Sequence, residues 1–269
     1  MGEFPGARAD LNDAAYAVVG APLDVSTTFR PGARFGPDRV RRFARPFDEY
    51  DQRTGHHFSD LACDSGDVAP WGDVPDYLEF LTGQLTDHHD AGRLPLLLGG
   101  EHTVTVAGIR AAGPDVYVCL DAHLDLYEAY AGDEYAHATV TNHALDIVDE
   151  TVLLGARTGS EDEWDRAAEA DVTVVPPEEV ADWTPDFDGD AYLSIDIDAA
   201  DPGFAPGTGT PEPFGLEPRE MRDVVRSVAP DAVGFDVVEV NDRDDGQAAS
   251  LAGKLLQTFV FAHAEATLG

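Results

Sequence analysis

The chain is almost without lysine: Lys254 is the single one among 17 basic residues, against 52 acidic residues and a formal net charge of -35 in 269 residues. Nucleic-acid binding needs a cationic footprint that displaces counterions from phosphates, and this balance excludes it. Polybasic attachment to anionic lipid is excluded for the same reason. Cysteine is scarce too. Cys63 and Cys119 lie far apart in apolar stretches, which predicts buried free thiols and no disulfide framework. No uninterrupted apolar run reaches the roughly 18 residues of a membrane span, and the leading MGEFPGARAD lacks the apolar core of a signal peptide. No membrane association is expected, and the expected location is the cytoplasm.

What is present is a chain with 43% hydrophobic residues spread along its length, enough to build a core and to exclude disorder. Uniform acidity with so little lysine is the mark of a salt-rich, halophilic setting, where screening falls to about 3 Å at ~1 M salt. On that reading the charge describes the solvent and leaves the function open.

Eight short apolar runs, at residues 16–20, 60–63 (the weakest), 94–98, 116–120, 152–155, 172–175, 191–197 and 233–240, read as strands. Several are continuous β-branched or leucine runs, as in strands covered on both faces. Helical character falls between most of them, notably at 74–90, 161–170 and 217–228, and 248–264 forms a closing helix. Alternating strands and helices imply an α/β fold with a mainly parallel sheet. No repeat, linker or composition break divides the chain, so residues 1–269 are expected to form one domain. The segment GAPLDVSTTFRPGARFGPDRVR, beginning at Gly20, reads in its first half as an ordered, shaped loop.

Three acidic and histidine clusters fall at the carboxyl ends of expected strands, where open parallel sheets place their sites. GGEHT carries His102; LDAHLDLY carries Asp121, His123 and Asp125; SIDIDAADP carries Asp196, Asp198 and Asp201. In extended backbone alternate residues project to one side, so each motif is expected to converge on one centre. Burying these acids costs heavily unless cations neutralise them. Carboxylates with two imidazoles suit manganese before zinc, and six ligands with some bridging are enough for two ions roughly 3.5–4 Å apart.

GGEHT, DAHLDLY, SIDIDAADPGFAPGTGTP and FDVVEVN, in this order, together with the shaped loop after Gly20, resemble the signatures of the ureohydrolase (arginase/agmatinase) family, closest to its agmatinase branch. The resemblance runs from about residue 17 to 262. It implies a three-layer α/β/α, arginase-like fold with an eight-stranded sheet and a cofactor of two Mn²⁺ per subunit. It assigns His102, Asp121, Asp125 and Asp196 to one ion, and His123 and Asp198 to the other, with Asp121 and Asp196 bridging. Glu239 matches the carboxylate that pairs with a guanidinium, and His137 the histidine that shuttles a proton beside the reaction, a role Asp125 could share. The activity implied is hydrolysis of a guanidino compound to urea and an amine. The partner is a small cationic substrate, and the assembly a homo-oligomer, trimer or hexamer by analogy. Asp201 lies outside the ligand set and is expected to brace its loop.

Two positions depart from the family pattern: Glu101 stands where aspartate is frequent, and Ala138 replaces a glycine after His137, which predicts a shifted backbone there. Tyr127 stands where arginases carry an asparagine; an apolar wall with one hydroxyl suits a plain aminoalkyl tail. Agmatine is therefore the expected substrate, with guanidinobutyrate, arginine and formiminoglutamate as alternatives. Glu128, Asp133, Glu134 and Glu161 lie in loops that could rim the pocket, although in so acidic a chain each reads first as a solvated surface acid, and DRDDG at 242–246 reads as a solvated loop. A non-catalytic metal-binding relative would lack a ligand or the guanidinium acid, and a zinc deacetylase would show a single-metal site. Neither pattern is present.

Overall fold

The computed structural model describes residues 3–170 and 172–268. In chain order the elements are β1 (Tyr16–Ala21), α1 (Gly36–Phe43), α2 (Phe58–Leu61), β2 (Ala62–Asp67), α3 (Val74–Asp90), β3 (Leu94–Gly99), α4 (Thr105–Ala112) and β4 (Val116–Leu120). They continue with α5 (Val140–Ala144), β5 (Glu150–Leu154), α6 (Glu161–Glu169), β6 (Val172–Val175), α7 (Pro177–Val180), β7 (Ala191–Asp196), α8 (Pro218–Val228), β8 (Ala232–Val238) and α9 (Gln247–Thr267). The strands form one eight-stranded sheet in the order β2-β1-β3-β8-β7-β4-β5-β6. Every pairing is parallel.

Side-chain alternation along the strands makes three layers. On β4, Val116, Val118 and Leu120 face a core shared with α8 and α9, while Tyr117 and Cys119 face the opposite core, built with α3, α4 and α5. Both faces of the sheet are thus covered, which is why its strands read as continuous apolar runs. Cys63 and Cys119 are buried free thiols. Among the described residues no helix is long and apolar enough to cross a membrane.

The chain lays down β1, β2 and β3 on one side of the sheet and β4, β5 and β6 on the other, then fills the gap with β7 and β8. The carboxyl ends of β3, β8, β7 and β4 therefore lie side by side at the switch point, where a crevice opens. The expected strands are all present, β4 and β6 with the expected bounds and the others with shifted ends. The largest shift is at β2, which covers Ala62–Asp67 and not 60–63. Its Ala62 and Cys63 pair with Tyr16 and Ala17, and it continues as polar ACDSGD at the sheet edge. Backbone pairing decides this strand, and its side chains advertise little of it.

Local chemistry explains several boundaries. Asp73 caps α3 by accepting from the Asp76 N–H at 3.0 Å, with Pro75 in the first turn. Ser160 and Glu163 form a reciprocal capping box on α6. The DRDDG loop is solvated at Asp242, Arg243 and Asp245, but not at Asp244. Asp244 has 1% side-chain exposure, accepts from the Gly246 and Ala248 N–H groups at the start of α9, and pairs with Arg39 at 3.0 Å.

Candidate metal centre and substrate cavity

Four strand ends supply the site. Asp121 follows β4 directly, Asp196 is the last residue of β7, Glu239 follows β8, and His102 lies three residues beyond β3. The Gly99–Gly100 pair makes the β3 exit possible. Gly100 donates to the Ala21 carbonyl at 2.7 Å, and Glu101 to that of Leu23 at 2.8 Å. A Cβ at Gly100 would collide with the Leu23 carbonyl oxygen.

The six expected ligands come together in two connected groups. His102 Nδ1 lies 2.9 Å from Asp125 Oδ2, 3.3 Å from Asp121 Oδ2 and 3.5 Å from Asp196 Oδ2. His123 Nδ1 lies 3.1 Å from Asp198 Oδ2 and 3.5 Å from Asp121 Oδ1. Asp121 thus turns one oxygen to each group. Asp121, His123 and Asp198 offer ligand atoms all within 4.8 Å of one another.

The convergence does not come from extended backbone, which corrects the alternation argument. After β4 the chain leaves the sheet, and Asp125 takes a positive φ of 52°. After Asp196 it turns into a 3₁₀ segment, Ile197–Ala199. The carboxylates themselves shape these turns: Asp121 Oδ1 accepts from the His123 N–H at 2.7 Å, and Asp196 Oδ1 from the Asp198 N–H at 2.9 Å. Of the four non-glycine residues with positive φ among those described, two are Asp125 and Glu239. Strain of this kind persists only where the surroundings over-determine it.

Burial sets the electrostatics. It raises Asp125 to about 7, with the charge of Asp121 adding to the effect. It pushes Glu239 up to about 8 against the stabilising His102 N–H, and raises Asp196 well above the carboxylate range, helped by Asp198 and Asp121. Burial also acts to raise Asp121, but hydrogen bonds and charge from His102 and His123 outweigh it and hold that carboxyl low. Such a cluster gains from a cation that replaces protons as the neutralising charge. Cys119 Sγ approaches His102 Nε2 at 3.8 Å, on the side of the ring away from the carboxylates. Burial pushes its thiol up to about 11, so the donor set that fits a metal is carboxylate and imidazole. The same side of the ring meets Ser194 Oγ at 3.3 Å, and Ser194 donates to the buried Asp236 at 2.6 Å. Outer support of this kind fixes the ring of a histidine placed to bind a metal, and the sequence carried no signal for it.

Above the cluster lies a cavity of about 230 Å³. His102, His123, Asp125, Asp196 and Glu239 line its floor. Glu239 Oε1 accepts the His102 N–H at 2.8 Å, and the Glu239 N–H donates to Gly100 O at 2.8 Å, so its carboxylate and its backbone are both tied to the β3 exit. Tyr127, Tyr130 and His137 form an aromatic wall. The Tyr127 and Tyr130 ring centroids are 5.1 Å apart, and the Tyr130 ring meets His137 edge-on at 5.6 Å. Burial lowers His137 below the usual histidine range. Ala138 sits within the 3₁₀ turn His137–Thr139, whose backbone needs no glycine.

Glu128, Asp133, Glu134 and Glu161 are exposed and do not line the cavity. The wall acid is Glu163, 4% exposed, with its oxygens engaged by the Leu126 and Ser160 N–H groups and the Ser160 hydroxyl. The S-x-x-E spacing of a capping box was its signal in the sequence. Asp201 accepts from the Gly203, Phe214 and Gly215 N–H groups, away from the ligands. It folds the loop that delivers Thr210, whose hydroxyl donates to Asp198 Oδ2 at 3.1 Å.

Residues 14–262 match the arginase family model. The chain belongs to the arginase family. An agmatinase of Pyrococcus horikoshii is 31% identical over 258 residues, covering 92% of this chain and 91% of that one. Among solved structures, the agmatine ureohydrolase of Thermoplasma volcanium superposes with a TM-score of 0.88 at 31% identity, covering 98% of this chain and 95% of the other. The proclavaminate amidinohydrolase of Streptomyces clavuligerus gives the same TM-score and identity, covering 99% and 98%. Membership of the arginase family accounts for the three-layer fold and for a metal-dependent hydrolase of guanidino compounds. Two relatives named for different substrates superpose equally well, so backbone similarity leaves the choice of guanidino compound to the cavity wall.

Proposed function

We propose that the chain is a binuclear manganese amidinohydrolase that converts agmatine to putrescine and urea. The observation that carries this reading is one cavity lined by His102, His123, Asp125, Asp196 and Glu239 beneath an aromatic wall, with Asp121 and Asp198 in contact with the two histidines. His102, Asp121, Asp125 and Asp196 would hold one ion, and His123 and Asp198 the other, with Asp121 and Asp196 between them. Bound in this way, two Mn²⁺ supply the positive charge that makes water a competent nucleophile near neutral pH.

The chain's own residues do the rest. Glu239 keeps one oxygen on the His102 N–H and offers its remaining lone pairs to the guanidinium, which matches a carboxylate in two-pronged geometry. That fixes the guanidinium carbon over the ligand cluster. His137 gives the proton that the departing amine needs, and Asp125 is the other acid within the cavity able to carry it. Tyr127 and Tyr130 flank the aminoalkyl tail and attract its terminal ammonium through their ring faces.

The wall also speaks to the substrate. Its lining is acidic, hydroxylic and aromatic, and no arginine or lysine is part of it. A tail ending in ammonium suits this lining, whereas guanidinobutyrate, arginine and formiminoglutamate each bring a carboxylate with no cationic side chain to meet it. We further read the chain as a single-domain, cytoplasmic homo-oligomer adapted to concentrated salt. Urea release from a panel of guanidino compounds, with and without added Mn²⁺ in molar salt, tests the reading. Agmatine is expected to turn over fastest and only with metal. No urea from any compound, despite bound metal, would overturn it; a carboxylate-bearing substrate turned over fastest would overturn the choice of agmatine alone.

A further inference from the structure

Ser26, in the loop after β1, is placed against His137 across 111 positions of chain. Its Oγ accepts the His137 backbone N–H at 2.9 Å, lies 3.1 Å from His137 Nδ1, and lies 3.0 Å from Glu101 Oε1. A hydroxyl has one proton to donate and two lone pairs to receive. Glu101 is fully buried, and its carboxylate is surrounded by donors: the Val25 N–H at 2.6 Å and the Ser26 N–H at 2.8 Å on Oε2, and the Thr103 hydroxyl at 3.0 Å on Oε1. The two N–H groups are donors only, and the Thr103 hydroxyl also directs its proton to the carboxylate. The Ser26 proton therefore goes to Glu101, because turning it towards His137 would leave two bare oxygens facing each other at 3.0 Å. Both Ser26 lone pairs are then filled by His137, one by the backbone N–H and the other by Nδ1–H.

We propose that Glu101 and Ser26 are positioning residues that hold His137 in the Nδ1–H tautomer, leaving Nε2 as the ring nitrogen that exchanges a proton with the reacting groups. The proposal rests on the reading of His137 as the proton-handling group. It assigns a purpose to the glutamate at position 101: the side chain spans from the β3 exit to the loop after β1 and ties both to His137. It also explains why that loop is ordered. Asp24 pins its far end by accepting from the Thr27 hydroxyl and the Gly32 N–H, each at 2.8 Å, so Ser26 is held between two anchored carboxylates.

The test is a double-mutant cycle on the Mn²⁺-loaded enzyme with agmatine, read as kcat, KM and bound metal. Ser26→Ala is expected to lower kcat roughly 10–100-fold, with KM within about threefold and metal content unchanged. Ser26→Thr, which keeps a hydroxyl, is expected to recover most of the rate and shows that the position tolerates substitution. In a His137→Ala background, Ser26→Ala should change kcat by less than about twofold, because its effect travels through the missing imidazole. An equal loss in both backgrounds, or an unchanged kcat in Ser26→Ala, would overturn the positioning role while leaving His137 as the proton carrier. A His137→Ala enzyme with full activity would overturn the reading of His137 itself, whatever Ser26→Ala does.

Discussion

The floor and the wall of the cavity are built on different plans. The floor comes from four neighbouring strand ends, and its acids are nearly inaccessible: Asp121 and Asp198 are 1% exposed and Asp196 is 3%. Each of these carboxylates also shapes the backbone that carries it or its neighbour, as Asp198 does by accepting the Ala122 N–H at 3.1 Å. The wall is assembled from separate loops, and Tyr127, Tyr130, His137 and Thr210 are only half-buried. The difference teaches that chemistry and selectivity occupy different mechanical settings here. The floor is rigid because removing any member leaves buried charge uncompensated, whereas the wall can exchange side chains without disturbing the sheet.

The sharpest way to break this comparison is to remove a floor acid. Asp121→Ala or Asp196→Ala is expected to lower kcat/KM by on the order of 10³-fold or more, equivalent to about 4 kcal/mol. Bound metal measured by elemental analysis should fall below that of the parent protein. A variant that retained urea release would remove the floor from the mechanism. A wall change should be smaller and of another kind. Tyr127→Ala is expected to raise KM for agmatine by roughly 3–10-fold, the scale of an aromatic contact, with kcat and metal content nearly unchanged. A collapse of kcat instead would mean that wall and floor are one unit.

The smallest effect concerns the loop that joins them. Backbone N–H groups of Gly203, Gly215 and Phe214 hold Asp201 below the ordinary aspartate value of 3.8. A carboxyl with a depressed folded-state pKa stabilises the fold above its unfolded value and loses that contribution as pH falls through the folded one. Asp201→Ala should therefore lower the melting temperature by a small margin near neutral pH, and the gap should close as the solution is acidified below the ordinary aspartate value. A gap independent of pH would show that packing, and not the ionised carboxylate, holds the loop.

Legibility followed the same division. His102, Asp121, His123, Asp125, Asp196 and Asp198 stood out because a strand end packs several ligands into a few consecutive residues. Glu239 was visible through FDVVEVN, where an acid closes an apolar run. Ser26 carried no such signal, since a serine in a glycine- and proline-rich loop is ordinary, and the S-x-x-E spacing of Glu163 announced a helix cap but not a place on the cavity wall. Glu128, Asp133, Glu134 and Glu161 are the surface acids that composition suggested first, since in so acidic a chain an acid in a loop is unremarkable. Asp244 was hidden by the same composition, although it caps α9 and pairs with Arg39.

By itself the sequence determined the alternation of strands and helices, the covering of the sheet on both faces, and which acids and histidines form the candidate ligand set. These depend on local periodicity and on residue types few positions apart. Only the tertiary structure decided that β7 and β8 are inserted between β3 and β4, which brings four strand ends into one crevice. It alone set the positive φ of Asp125 and Glu239, the meeting of Ser26 with His137, and the cavity lining free of cationic side chains. Those features arise from contacts between residues tens to hundreds of positions apart, and no local pattern encodes which distant groups will meet.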